Sequence, residues 1–202
     1  MKLKLDLHTH CLEAVNFARP EPKTVRRILE AVQAAGLDGI AITDHAEIGD
    51  GFAYAAREVV ERHFPGEILV IPGRELRWRT HHLVELDLPE GLTFRFLAHP
   101  GRDLSAWDGC VERIREPSGV AGFQAAPILP NSPPHPGFPD SPREKLHGLE
   151  IENGNQTIDR ARVLAFAQRH GLLLLSNSDA HSLSDIGNHY TETSLEELCA
   201  YI

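Results

Sequence analysis

Cysteine is scarce in this chain of 202 residues: Cys11, Cys110 and Cys199 are its only three. An odd number at wide spacing gives neither a disulfide framework nor a paired-thiolate zinc site, so the thiols are read as reduced. Long apolar runs are lacking too. Leu172 to Leu175 is among the longest, far short of the roughly 20 residues that span a bilayer. Met1 to Lys4 leads directly into an alternating pattern, without the apolar stretch of a signal peptide, and the expected location is cytoplasmic. Positive charge is in deficit, with 20 Lys and Arg against 29 Asp and Glu, a net charge of −9. That balance argues against stable nucleic-acid binding, which relies on cations neutralising phosphates, although bound divalent ions would reverse the sign locally.

What is present is an alternation of apolar strands and amphipathic helices, the pattern of an α/β domain with parallel strands. Leu3, Leu5 and Leu7 alternate with polar residues. Pro22 opens a helix on which Val25, Ile28, Leu29 and Val32 recur at helical spacing, and Gly36 ends it. Strands follow at Gly39 to Thr43, Ile68 to Ile71, about Leu83 to Leu88, Phe94 to Ala98, Leu149 to Glu152 and Leu172 to Leu175. Further helices are predicted from Phe52, from Trp107 and from about Ile158, and Ser194 resembles a capping residue for a terminal helix. Eight of the 14 prolines lie between Glu116 and Pro142. They predict a long irregular connector at about 116–147, read as a plain helix-to-strand loop rather than a lid.

Acids and histidines cluster where those strands end: Asp6, His8 and His10 after the first, Asp44 and His45 after the second, then Glu75, His99, Glu150 with Glu152, and finally Asp179 with His181. In a closed parallel barrel such ends converge on one rim, where active sites are built. Period-two alternation predicts that Leu3, Leu5 and Leu7 face the outer helices while Lys4, Asp6 and His8 face the interior. A single His-x-His pair is a weak signal. Several imidazoles and carboxylates gathered together are costly to desolvate unless cations compensate them, which is what makes the set informative. His63, His147, His170 and His189 are read as surface or capping residues and Cys11 as packed.

In order along the chain, Asp6-Leu-His-Thr-His10, Thr43-Asp-His45, Gly73-Arg-Glu75, His82-Leu-Val, Ala98-His-Pro-Gly101, Gly148-Leu-Glu-Ile-Glu-Asn153 and Ser178-Asp-Ala-His181 resemble the PHP (polymerase and histidinol phosphatase) family of metal-dependent phosphoesterases. The resemblance implies a single domain over residues 1–202, folded as a distorted seven-stranded, TIM-like (β/α) barrel. It also implies two or three divalent metal ions, zinc, manganese or iron. Glu75 would bridge them: His8, His10, Glu75 and Asp179 around one, Glu75, His82 and His99 around a second, and His45 with His181 as part of a third. Where many members carry a further His or Asp shortly after the His-x-His pair, this chain has Val15 and Asn16, with Glu13 the nearest acid. Asp6, Asp44 and Glu150 are read as groups orienting imidazoles.

The chemistry such a cluster permits is hydrolysis of a small phosphate ester, a phosphomonoester or nucleotide. Arg102 is the first candidate for gripping phosphate, with Arg19, Arg77 and Arg143 behind it, because a guanidinium matches phosphate oxygens bidentately. His181 is a candidate donor of the leaving-group proton. Two alternatives stand beside this reading. A metal-dependent amidohydrolase also opens on His-x-His, but its binuclear form usually uses a modified lysine, and Lys2, Lys4, Lys23 and Lys145 occupy no strand end. A non-catalytic metal-binding regulatory domain is the other.

Overall fold

Eight strands form one sheet in the computed structural model, which describes residues 1–49, 51–78, 80–101, 104–107 and 145–202. They are β1 (Leu3–Asp6), β2 (Gly39–Ile42), β3 (Leu69–Trp78), β4 (His81–Asp87), β5 (Thr93–Ala98), β6 (Gly148–Asn153), β7 (Leu173–Asn177) and β8 (Thr191–Thr193). Their order is β7-β6-β5-β4-β3-β2-β1-β8. The resemblance implied seven strands, and the sequence pattern a parallel set. Here β4 runs antiparallel to both β3 and β5, and the short β8 runs antiparallel to β1. The reason lies in chain length: two residues between Trp78 and His81 cannot carry the crossover a parallel neighbour requires, so β4 must fold back as a hairpin.

The sheet curls until its edges nearly meet. At one end Ser176 donates its backbone N–H to Thr191 Oγ1 (2.9 Å), whose hydroxyl returns a bond to Ser176 O (2.9 Å). At the other end Thr9 bridges Ala180, with Asp179 N donating to His8 O and His10 N to Ala180 O. Inside the curl, Leu5, Ile71, Val84, Leu86, Phe94, Phe96 and Leu175 make one apolar cluster drawn from most of the strands. Each such side chain contributes about 1.5–3 kcal/mol on burial.

Helices cover the outside. They are α1 (Cys11–Ala14), α2 (Pro22–Ala34), α3 (Phe52–His63), α4 (Arg160–His170) and α5 (Leu195–Ala200). On α2, Val25, Ile28, Leu29 and Val32 are buried against Ile40, Ile42 and Val70, as their spacing requires, and Gly36 takes φ +69° just past its end. Leu83, Leu97 and Leu149 meet Val163 and Phe166 of α4 in a second outer cluster. Asp159 accepts from Arg162 N to cap α4, and Ser194 accepts from Glu197 N to cap α5. The helix expected from Trp107, together with most of the proline-rich stretch, lies outside the described residues. No described helix is long and apolar enough to cross a membrane.

Candidate metal centre

β1 stops at Asp6, and the alternation breaks just beyond it. Leu5 and Leu7 belong to the interior cluster, opposite to the expected outward direction, while Asp6 accepts from Ser178 N (3.1 Å) and Gly187 N (3.0 Å) rather than facing an imidazole. Lys4 likewise does not enter the interior. Its ammonium stands 5.3 Å from the Tyr190 ring centroid. Leu7 N bonds to the Asn177 side chain (3.0 Å), not to a strand backbone. Freed from the ladder there, the chain turns both Leu7 and His8 inward, and Thr43 Oγ1 then holds Thr9 N (3.0 Å) so that His10 follows.

Glu75 lies at the centre. Its carboxylate is within 2.7 Å of His45 Nδ1, 2.8 Å of His82 Nδ1, 3.3 Å of His99 Nε2, 3.4 Å of His8 Nε2 and 3.6 Å of His10 Nε2. Asp179 faces the same space, 3.1 Å from His10 Nε2 and 3.5 Å from His8 Nε2. β3 can deliver Glu75 here because Gly73 allows β4 to close up: a Cβ at residue 73 would sit 2.4 Å from Glu85 O. The adjacent histidines separate by strand parity. His82 turns to Glu75, whereas His81 is buried on the outer side with its ring 6.0 Å from Trp78 and 5.8 Å from Trp107.

Three sets of donor atoms lie close enough together to hold an ion: His8, Glu75 and His99; His8, His10 and Asp179; and His10, Glu13, His45 and His181. The third, at the more exposed rim, gains Glu13, the acid noted in the sequence without a place. All donors are nitrogen or oxygen. Glu75 Oε2 and His10 Nδ1 are buried without a properly directed hydrogen bond, even though His45 Nδ1 is close to the former. Nitrogen and oxygen donors gathered this closely, with part of their hydrogen-bonding capacity unmet, fit a divalent cation.

Charge follows the geometry. Burial works against ionised Glu75, but His45, His8 and His82 outweigh it and hold the carboxyl far below its usual range. Asp179 is held low in the same manner, against burial, by His10 and His8. Burial lowers His10, while for His8 the Glu150 carboxylate overcomes burial and raises it. Burial pushes Asp6 up to about 6 and Asp44 up to about 7.

β6 contributes no member of the three sets but orients several. Glu150 accepts from His8 Nδ1 (2.9 Å), from His99 N (2.6 Å), from Asn153 Nδ2 (2.9 Å) and from Asn177 Nδ2 (2.9 Å). A carboxylate cannot donate, so His8 Nδ1 carries the proton and Nε2 is left for the centre. His99 and Asp179 both adopt positive φ, +29° and +55°, a strained backbone held by this network: Asn153 reaches Asp179 Oδ2 (3.3 Å) and Asn155 its carbonyl.

Of the groups expected to orient imidazoles, Glu150 does so, whereas Asp44 accepts from Leu12 N (2.8 Å) and Asp6 only from backbone. His147, expected as a surface or capping residue, is buried: its backbone N–H donates to Arg95 O and its carbonyl accepts from Leu173 N, which carries the line of β6 back between β5 and β7, and its Nδ1 accepts from Arg95 N (2.9 Å). Cys11 is packed as expected. Arg102, Arg143, Cys110 and His135 lie outside the described residues. Asn177 was missed by sequence reading; its only signal is a polar residue inside an apolar strand end.

No curated protein matches the sequence. Solved structures that resemble the fold include two of known source. PsfC from Pseudomonas syringae has 16% identity and TM-score 0.59 over 92% of this chain and 79% of its own. A protein from Bifidobacterium adolescentis, provisionally described as a metal-dependent phosphoesterase, has 17% identity and TM-score 0.53 over 96% and 95%. At such identity the likeness is one of fold. Residues 157–202, from the end of the β6 loop through α5, match the family described as PHP-associated, PHP_C. The C-terminal part of the chain is thus similar to a family associated with PHP domains, and the fold over most of the chain is similar to those two structures.

Proposed function

We propose that residues 1–202 act as one PHP domain that hydrolyses a small phosphate ester, a phosphomonoester or nucleotide, with divalent metal ions held at the Glu75 centre. The observation that carries the proposal is that one buried carboxylate lies within 3.6 Å of five imidazoles, with Asp179 against the same rings. Buried charge of that density is costly unless cations share it.

His8, His10 and Asp179 would hold one ion and His8, Glu75 and His99 a second, with His82 beside it. His10, Glu13, His45 and His181 would hold a third at the rim. Zinc, manganese and iron all suit these donors. Bound there, such ions would acidify water and offset charge on the phosphoryl group. The protein's own groups do the rest. Glu150 fixes His8 with Nε2 inward, and the Asn153 amide steadies Asp179. Asp179 O accepts from His181 Nδ1 (2.8 Å), leaving Nε2 at the mouth free to ligate or to move the leaving-group proton. Arg102 is retained as a phosphate contact from the sequence.

Purified, metal-loaded protein assayed on phosphomonoesters, phosphodiesters and amides tests this reading. Phosphate-ester turnover is expected, and Asp179→Asn and His8→Ala should each reduce it beyond the roughly 10- to 100-fold typical of outer groups while lowering metal content. Turnover of amides alone would favour an amidohydrolase; stoichiometric metal without turnover of either class would favour a regulatory domain.

A further inference from the structure

Arg77 lies two residues beyond Glu75 on β3, so strand alternation puts both on the interior face, along with Ile71 and Gly73. Across the hairpin its register partner is His82, whose Nδ1 is 2.8 Å from Glu75 Oε1. Arg77 therefore stands on the mouth side of the centre, two cross-strand pairs along from Glu75 and Val84 and the next pair on the same face. The residue is exposed and makes no hydrogen bond or ion pair with another described residue. Arg74 provides the contrast. It points to the outer face, where Glu85 binds it at 2.6 Å and binds Arg95 at 2.8 Å.

The unpaired charge has a reason. Carboxylates in the pocket are committed elsewhere: Glu75 to imidazoles, Asp179 to His10, Glu150 to His8 and amides. Glu13, the acid at the rim, stands with His10, His45 and His181, and among the described residues no carboxylate pairs with Arg77, so its charge remains available to an incoming anion. We infer that Arg77 grips the non-bridging oxygens of the substrate's phosphate and holds it against the centre, an inference that rests on the phosphoesterase reading above. A planar fork of donors suits two such oxygens, which makes Arg77 a specificity element for a terminal phosphate over a neutral ester or amide.

Inorganic phosphate binding to the metal-loaded protein, followed by calorimetry, reads the contact without turnover; KM for p-nitrophenyl phosphate reads it during turnover. Arg77→Ala should weaken phosphate binding and raise KM by about 10- to 100-fold, the range for hydrogen bonds to charged groups. Metal content and melting temperature should be unchanged, and Arg77→Lys should recover part of the loss by restoring charge without the fork. Unchanged phosphate affinity and KM in Arg77→Ala would overturn the inference and leave the phosphoesterase reading intact. Phosphate binding that depends on Arg77 in a protein that hydrolyses no phosphate ester would uphold the contact and overturn the activity. Wild-type protein that neither binds phosphate nor hydrolyses its esters would overturn both.

Discussion

His8 and His147 are both buried, yet their surroundings drive them in opposite directions. At His8 the Glu150 carboxylate overcomes the cost of burial and favours the charged ring. At His147 burial acts first, the nearby Lys145 and Arg95 charges add to it, and the pKa falls to about 4. Above the unfolded value near 6.5, folded and unfolded chains both carry a neutral ring and the full stability is present. As pH falls from there through the folded value, the unfolded chain takes up a proton that the folded one refuses, and stability is lost. The loss attributable to His147 between about pH 7 and about pH 5 is roughly 2 kcal/mol. His147→Asn keeps an acceptor for Arg95 N without a titrating ring, so urea denaturation should show a flatter pH dependence than wild type. Equal slopes would refute the assignment. Neither ring could be read this way from sequence, where His147 is expected as a surface or capping residue. Titration state depends on which charges approach through space, and Glu150 stands 142 positions from His8.

Along β3 and β4 the period of two does most of the sorting. Glu75 and Arg77 share the interior face while Arg74 takes the outer one; His82 faces Glu75 while His81 packs beside Trp78 and Trp107. Replacing the two neighbours should therefore have separable effects. His82→Ala is expected to lower metal content and turnover with little change in stability. His81→Ala should leave metal content intact and cost about 1–3 kcal/mol through lost packing. Elemental analysis beside thermal melts checks both, and a loss of metal on His81→Ala would reverse the assignment. Alternation was legible in β3 and β4 but misleading at β1, because parity holds only while the backbone stays in its ladder. Leu7 N leaves the ladder for Asn177, and the phase slips by one residue. β6 keeps parity as far as Glu150, which faces inward because Leu149 packs outward, and a register shift between Glu150 and Glu152 then breaks it.

For the whole molecule, the centre ties the sheet together. Its donors come from β3, from α1 and from the chain just after β1, β2, β5 and β7, so ions held there would cross-link most of the barrel rim. Bound ions stabilise only the folded state, by about 4 kcal/mol at a thousandfold excess over Kd. For a chain of this size exhaustive chelation should lower the melting temperature by about 10 °C, and returning metal should restore it. Calorimetry with and without chelator measures this; an unchanged melt would show that no ion bears on the fold. The sequence by itself determined which chemical groups the centre has and in what order, since strand ends carry their residues wherever the strands go. It also determined the α/β class and the helices whose apolar faces recur at helical spacing. Tertiary structure alone decided that β4 and β8 run antiparallel, that Leu7 and His8 both turn inward, that Glu13 joins His10, His45 and His181, and that Arg77 opens on the mouth. Local periodicity gives each element two faces. Only packing against elements far away along the chain, such as Asn177 against Leu7 across 170 positions, selects which face looks inward.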